Sequence, residues 1–404
     1  MVETRFVIDQ VTVFSERETI ENGYIKVENG IITEIGPAKQ RNKSDGEKVY
    51  TFHENVSLLP GMIDVHIHGV NGADTMDATT EALDTITQAL PAEGTTSFLA
   101  TTITQEAKAI ERAVKNAGEY VEKNQKPGRA EVLGIHLEGP FLNSERAGAQ
   151  PLHAMQRPDI RVFEAWNKLA KGKIKLVTLA PEKEGGLELI RYLTDRGVIA
   201  SIGHSDATYE QVMEAVKWGA THITHLYNGM KGLHHREPGV VGAALLNEQL
   251  KTEVIADGNH VRPEMIQLAY QQKTDAGVIL ITDAMRAKCL KNGRYDLGGQ
   301  EVEVKDGKAL LENGTLAGSV LKMKDALTNI QEYTRCSLES AIKMASENPA
   351  KQLGVFDRKG SLAVGKEADL FVRSEDGEVM MTFCKGHLAY SNGRSRENEN
   401  YSSE

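Results

Sequence analysis

GMIDVHIHG, residues 61–69, alternates like a β-strand yet carries three polar side chains. Asp64, His66 and His68 alternate with Val65 and Ile67, and a period of two sends all three to one face. Two same-face imidazoles bury badly without partners. The face is therefore expected to look onto a site that uses them, with Asp64, which lies deeper, orienting them.

This strand is the first of eight apolar stretches. LLPGMIDVHIHG (58–69) is followed by TTSFLATTIT (95–104), EVLGIHLEGP (131–140), KIKLVTLAP (173–181) and VIASIGHSD (198–206). THITHLYNGM (221–230), TEVIADGNH (252–260) and GVILITDAM (277–285) complete the series. Good helix formers lie between several of them, as in TQEAKAIERAVKNAGEYVEKN (104–124) and YEQVMEAVKWG (209–219). Strands alternating with helices predict a parallel (β/α)8 TIM-type barrel, with reactive groups at the C-terminal ends of its strands.

The two ends of the chain have another texture. RFVIDQVTVF and YIKVENGIITEIG near the start, and SLAVGKEADLFVR and GEVMMTFCKGHLAYSNGR near the finish, read as short strands and turns. Neither end is long enough for a stable sheet alone. They are expected to combine, 1–56 with 357–393, into a small β-sandwich domain beside a barrel over 57–356. The remainder, 394–404, is expected to be a frayed polar tail.

Composition narrows the function. Hydrophobic residues at 40% and charged ones at 26% describe an ordinary globular chain. A net charge of −10 argues against a nucleic-acid surface or an anionic membrane as partner. No apolar run is long enough to span a bilayer, and MVETRFVIDQ lacks the form of a secretory signal. Three cysteines, widely spaced, suit neither a disulfide framework nor a thiolate metal site, so a cytoplasmic location is expected.

The barrel reading can be tested against the strand ends. His66 and His68 end the first strand, His136 and Glu138 share a face of the third, and His204 ends the fifth. In the sixth, a period of two puts His222 and His225 on opposite faces, and His225 is the better ligand because it lies nearer the end. Asp257 and His260 end the seventh strand and Asp283 the eighth. Imidazoles and carboxylates without thiolates suit one or two divalent ions: Zn, Fe, Mn, Co or Ni. A carboxylate between two imidazole groups can bridge a pair of ions, which activate water and polarise a carbonyl. Asp283, expected alone on the far side of the barrel, is then free to move protons. His136 reads as an outer donor, while His53, His153, His222 and His387 read as ordinary hydrogen-bonded residues. GLHHREPG (232–239) gathers His234, His235 and Arg236 in a loop that suits a phosphate or carboxylate.

With these residues in place, PGMIDVHIHG, the strand-end histidines and the terminal aspartate resemble the amidohydrolase superfamily of metal-dependent barrels. HLEGPF (136–141), GAQP (148–151), GHSDA (203–207), THLYNGM (224–230), HHREPG (234–239), ADGNH (256–260), LITDAMRA (280–287) and GTLAGS (314–319) are similar to the N-acetylglucosamine-6-phosphate deacetylase family within it. The resemblance runs from about residue 5 to 392 and includes GSLAVGKEADLFV (360–372). It implies a metal-dependent enzyme that converts N-acetyl-D-glucosamine 6-phosphate to D-glucosamine 6-phosphate and acetate in amino-sugar catabolism or cell-wall recycling. It implies Glu138, His204 and His225 as common metal ligands, His66 and His68 as a pair that supports a second ion, Glu138 as the bridge between the two, and Asp283 as a further residue at the metal. Asp283 would also transfer the proton. Asn228, Gly229 and Arg236 match sugar-phosphate contacts, with Arg236 serving a neighbouring subunit of a homodimer. Ala149 and Gln150, the run Asp257, Gly258, Asn259 and His260, and Leu316, Ala317 and Gly318 match further substrate contacts.

Two departures stand out: Gln150 replaces a histidine of some members, and Gly229 replaces a common alanine, harmless if only backbone is used. The alternatives are a deacetylase for another N-acetylated amino-sugar phosphate, a cyclic-amide hydrolase and a non-catalytic sugar-phosphate sensor. Cyclic-amide hydrolases commonly bridge their ions with a modified lysine ending strand four, and Lys175 lies near the start of that strand instead. A sensor would be expected to have lost a ligand or Asp283.

Overall fold

The computed structural model describes residues 5–42, 47–394 and 396–399. All eight predicted stretches form parallel strands: β1 Met62–Ile67, β2 Thr95–Thr102, β3 Glu131–Glu138 and β4 Ile174–Leu179. β5 Ile199–Ile202, β6 His222–Ile223, β7 Lys251–Ile255 and β8 Val278–Ile281 complete the set, paired in chain order. The ring closes just past the strand ends. Asp283 N–H donates to the His66 carbonyl at 2.8 Å and His68 N–H to that of Ala284 at 2.9 Å.

Among the described residues, eight helices of eight residues or more accompany the strands: α1 Thr80–Ala89, α2 Ala107–Lys123, α3 Ile160–Leu169 and α4 Gly186–Thr194, then α5 Tyr209–Trp218, α6 Gly239–Leu246, α7 Pro263–Gly277 and α8 Met323–Thr334. Their beginnings are written in the sequence. Thr79 caps α1 at Ala82 N–H, Asp159 caps α3, and Thr208 with Gln211 forms a capping box on α5. In α2 the buried residues Ile110, Ala113, Val114, Ala117 and Tyr120 recur at helical spacing, so one stripe faces the strands.

The two chain ends share one hydrogen-bonded network of nine strands. Arg5–Phe14 is common to its two leaves. Its first half pairs with Lys48–Thr51 and its second with Val56–Pro60, which carries Leu370–Ser374. The leaves face each other in a sandwich: Phe6 stacks on Phe383 with centroids 4.5 Å apart, and Tyr50 meets Phe383 edge-on.

The structure revises two of the expected boundaries. Residues 57–60, expected in the barrel, belong to this sheet, because Leu58 and Leu59 pair with Val372 and Phe371. The chain crosses into β1 at Gly61, where a Cβ would lie 2.1 Å from Thr96 Oγ1. The polar tail is likewise not wholly frayed, since Arg396–Glu399 pairs antiparallel with Lys48–Thr51. That edge has backbone groups to share, and pairing there asks nothing apolar of the added strand. Residues 395 and 400–404 of the tail lie outside the described residues.

An ion cluster joins sheet to barrel floor. Glu131, which opens β3, takes both Arg358 Nη atoms (2.9 and 3.2 Å) and Lys385 Nζ (3.0 Å). Buried Lys359 binds Glu131, Asp369 at 2.6 Å and Ser97 Oγ at 3.0 Å. Above the opposite end sits an element not foreseen in the sequence. Gly293–Leu297, Gln300–Lys305 and Lys308–Leu310 form an antiparallel sheet inserted between β8 and α8. Gln300 Nε2 donates to the Ala149 carbonyl at 2.6 Å, tying this sheet to the loop after β3.

Candidate active site

Six of the expected residues converge at the C-terminal end of the barrel. Glu138, the last residue of β3, places Oε1 3.1 Å from His204 Nε2, 3.2 Å from His225 Nε2 and 3.5 Å from His66 Nε2. Its Oε2 lies 3.4 Å from His68 Nε2. Asp283 Oδ1 is 3.2 Å from His68 Nε2 and 3.4 Å from His66 Nε2. All six are buried. They fall into two groups, Glu138/His204/His225 and His66/His68/Asp283, with Glu138 between them.

Asp283 is therefore not alone on a far side: ring closure sets the end of β8 against β1, beside both its histidines. The sixth strand also differs from expectation. It ends at Ile223, so period-two alternation does not reach His225, and His222 and His225 both point inward. The chain turns there through left-handed backbone, with φ of 29° at His225 and 80° at Tyr227. His204 (47°) and Asp283 (48°) share this conformation, uncommon for side-chain-bearing residues and concentrated where a side chain must be aimed.

Supporting hydrogen bonds fix which ring nitrogens face the site. His204 Nδ1 donates to the Arg146 carbonyl at 2.9 Å, and His66 Nδ1 to Glu253 Oε2 at 2.9 Å, so each turns its Nε2 toward the site. Glu253, in the middle of β7, was missed by sequence reasoning, although an acid inside an apolar strand was a usable signal. It also binds His222 Nε2 at 3.0 Å, which leaves His222 an ordinary hydrogen-bonded residue. Asp64 accepts from Thr282 Oγ1 at 2.5 Å and from His66 N–H at 3.2 Å, tying β1 to β8 beneath the site. His136 bonds Thr178 Oγ1 at 2.7 Å and packs edge-on against the His66 ring. Gln150 accepts from Thr104 N–H and donates to Glu138 Oε2 at 2.8 Å, which gives this side chain a place without an imidazole.

The charges are strongly coupled. Burial acts to raise the Glu138 carboxyl, but His66 and hydrogen bonds from His204 and His225 hold it well below its ordinary value. Burial acts to lower His66, yet Asp283, Glu138 and Glu253 outweigh it and push the imidazole well above its usual range. His136, buried beside His66, is pushed well down and stays neutral. Asp64 rises to about 6 through burial.

This donor set fits divalent cations. It is all imidazole and carboxylate, and His66 Nε2 is buried without a hydrogen-bond partner. The Nε2 atoms of His204 and His225 lie 3.0 Å apart, close to the edge of about 3.3 Å expected for two nitrogens on one tetrahedral ion.

A cavity of about 250 Å³ opens above these groups. Ala149, Gln150, Asn228 and Gly229 line one part, and His260, Leu316 and Gly318 another. Asp257 does not line it but grips His260 Nδ1 at 2.7 Å, aiming that ring inward. Gly258 and Asn259 do not line it either, and Ala317 is buried among the inserted strands. At Gly229 φ is 56° and a Cβ would lie 2.9 Å from His204 Nδ1, so the missing methyl leaves room beside a candidate ligand. Arg236 stands outside the cavity on an exposed loop, its Nη1 2.7 Å from His235 Nε2.

Comparison with known proteins gives a consistent result. Residues 57–389 match the amidohydrolase family. N-acetylglucosamine-6-phosphate deacetylase of Bacillus subtilis (strain 168) is 50% identical over 385 residues, covering 95% of this chain and 96% of the relative. The crystal structure of the deacetylase of that name from Thermotoga maritima is 36% identical, with a TM-score of 0.86 over 96% of this chain and 100% of the other. A mutant of the Mycobacterium smegmatis deacetylase, solved in complex with N-acetyl-D-glucosamine-6-phosphate, is 29% identical, with a TM-score of 0.90 over 96% and 100%.

Proposed function

The chain belongs to the amidohydrolase family, and on that premise we propose that it hydrolyses N-acetyl-D-glucosamine 6-phosphate to D-glucosamine 6-phosphate and acetate. The observation that carries the reading is Glu138, shared between two imidazole groups with Asp283 beside it. Glu138, His204 and His225 would hold one divalent ion, and His66, His68 and Asp283 a second. Such ions supply a Lewis acid for the acetyl carbonyl and make water nucleophilic near neutral pH.

This chain's residues do the remaining work. Asp283 accepts the proton of the attacking water and returns it to the amide nitrogen, which would otherwise leave as too strong a base. Asp257 accepts from His260 Nδ1, which turns Nε2 toward the cavity, where the imidazolium form donates to the developing oxyanion. Asp257 also outweighs burial and raises the His260 pKa, which favours the protonated, donating form. The phosphate binds remotely and converts its binding energy into placement of the amide. Arg236, exposed and outside its own cavity, serves that role for a second copy in a homodimer. Among the described residues no helix is long and apolar enough to cross a membrane. Cys289, Cys336 and Cys384 are unpaired, which supports a cytoplasmic setting.

The test is acetate release by metal-loaded protein from N-acetylglucosamine 6-phosphate, its galacto epimer and unphosphorylated N-acetylglucosamine. The phosphorylated gluco compound is expected to be the best substrate, with kcat falling when phosphate is absent. No acetate from any of the three would overturn the proposal.

A further inference from the structure

We propose that Glu253 is a positioning residue that couples the two ion positions, bracing His66 through its ring and His225 through its main chain. The inference rests on the two-ion reading above. Glu253 is fully buried in the barrel, and both its oxygens face donors. Oε2 accepts from His66 Nδ1 at 2.9 Å and from the His225 backbone N–H at 3.1 Å, while Oε1 accepts from His222 Nε2 at 3.0 Å.

The two braces act differently. Through His66 the carboxylate holds a proton on Nδ1, so that Nε2, which faces Asp283 and Glu138, is the nitrogen left to an ion, and it makes that nitrogen a stronger donor. Through His225 it restrains a backbone held at a φ of 29°, from which the imidazole reaches Glu138 and His204. The ring contact transmits charge directly to one ion position. The main-chain contact leaves the His225 side-chain torsions free to compensate, so the other position depends on Glu253 less.

Glu253→Gln isolates the charge. The amide oxygen can still accept from His66 and His225. The amide nitrogen then faces His222 Nε2, and that ring can move its proton to Nδ1, which has no partner in the structure. Metal-free wild type and variant would be titrated with Zn²⁺ alone, with bound metal counted by elemental analysis and folding followed by thermal melting. Wild type should bind two equivalents. The variant should bind one with affinity within about threefold of wild type and the other about 10–100-fold more weakly, the usual cost of removing an outer partner of a ligating histidine. In a His66→Asn background the same substitution should weaken Zn²⁺ binding less than about twofold further, because the ring it acts through is gone.

Wild-type affinity at both positions, equal loss at both, or additive loss in the His66→Asn background would overturn the proposal. So would a metal-free variant that is unfolded where metal-free wild type is folded, since Glu253 would then be a structural residue. If wild type itself saturates at one equivalent, the two-ion reading fails instead, and that outcome is separately visible.

Discussion

Glu131→Gln tests the seam between sheet and barrel. The substitution keeps the shape of the side chain and removes one of three acids, Glu131, Glu367 and Asp369, that balance Arg358, Lys359 and Lys385. Burial acts to raise the Glu131 pKa, but Lys359, Arg358 and Lys385 bring it down from 4.5 to about 2. A carboxylate depressed in the folded state contributes stability above its unfolded pKa and loses it as pH falls through its folded one. The shift is worth about 3.4 kcal/mol at pH 7 and about 1.4 kcal/mol at pH 3. The variant should therefore cost on the order of 3 kcal/mol at pH 7, and the gap to wild type should narrow on acidification. Urea unfolding of both proteins at the two pH values, compared through midpoint shifts, reads this directly. A cost below about 0.5 kcal/mol at pH 7, or one that does not change with pH, would show that the cluster behaves as screened surface pairs.

Two further outcomes follow from the site. His66 is held protonated by three carboxylates, and a divalent ion takes over that neutralising charge, so metal uptake at pH 7 should release at least about one proton. Calorimetric titration of metal into the metal-free protein, in buffers of different ionisation enthalpy, counts the protons, and zero release would refute the charge balance. Arg236→Ala and Asp283→Asn should each be nearly inactive at low substrate. Refolded together from equal amounts, they should recover about a quarter of wild-type activity if Arg236 serves the other subunit. Recovery of nothing would assign Arg236 to its own cavity or to no role.

The barrel was legible because each of its strands is an apolar run at a regular interval, and its site was legible because charged residues sit at the ends of those runs. What escaped was set by backbone turns and by contacts between distant strands. His222 and His225 looked opposed because alternation was carried through Thr224 into a turn of positive φ. Asp283 looked remote from His66 because a list of strands has two ends and a closed ring has none. Glu253 went unread because its partners lie on β1 and on the loop after β6. The inserted strands over 293–310 do show alternation, in RYDL and EVEV, with turns at Gly298–Gly299 and Asp306–Gly307. Their place above the site comes only from tertiary contacts such as Gln300 to Ala149.

On the proposed function, Asp283 moves the proton in an amide hydrolysis assembled around Glu138. Its most direct test is the rate of acetate release from N-acetylglucosamine 6-phosphate by wild type and Asp283→Asn, compared at matched metal content. With Asp283 in that role, kcat should fall about 10²–10⁴-fold, the usual worth of a positioned general acid–base. An Asp283→Asn protein that holds its metal and turns over at the wild-type rate would contradict it.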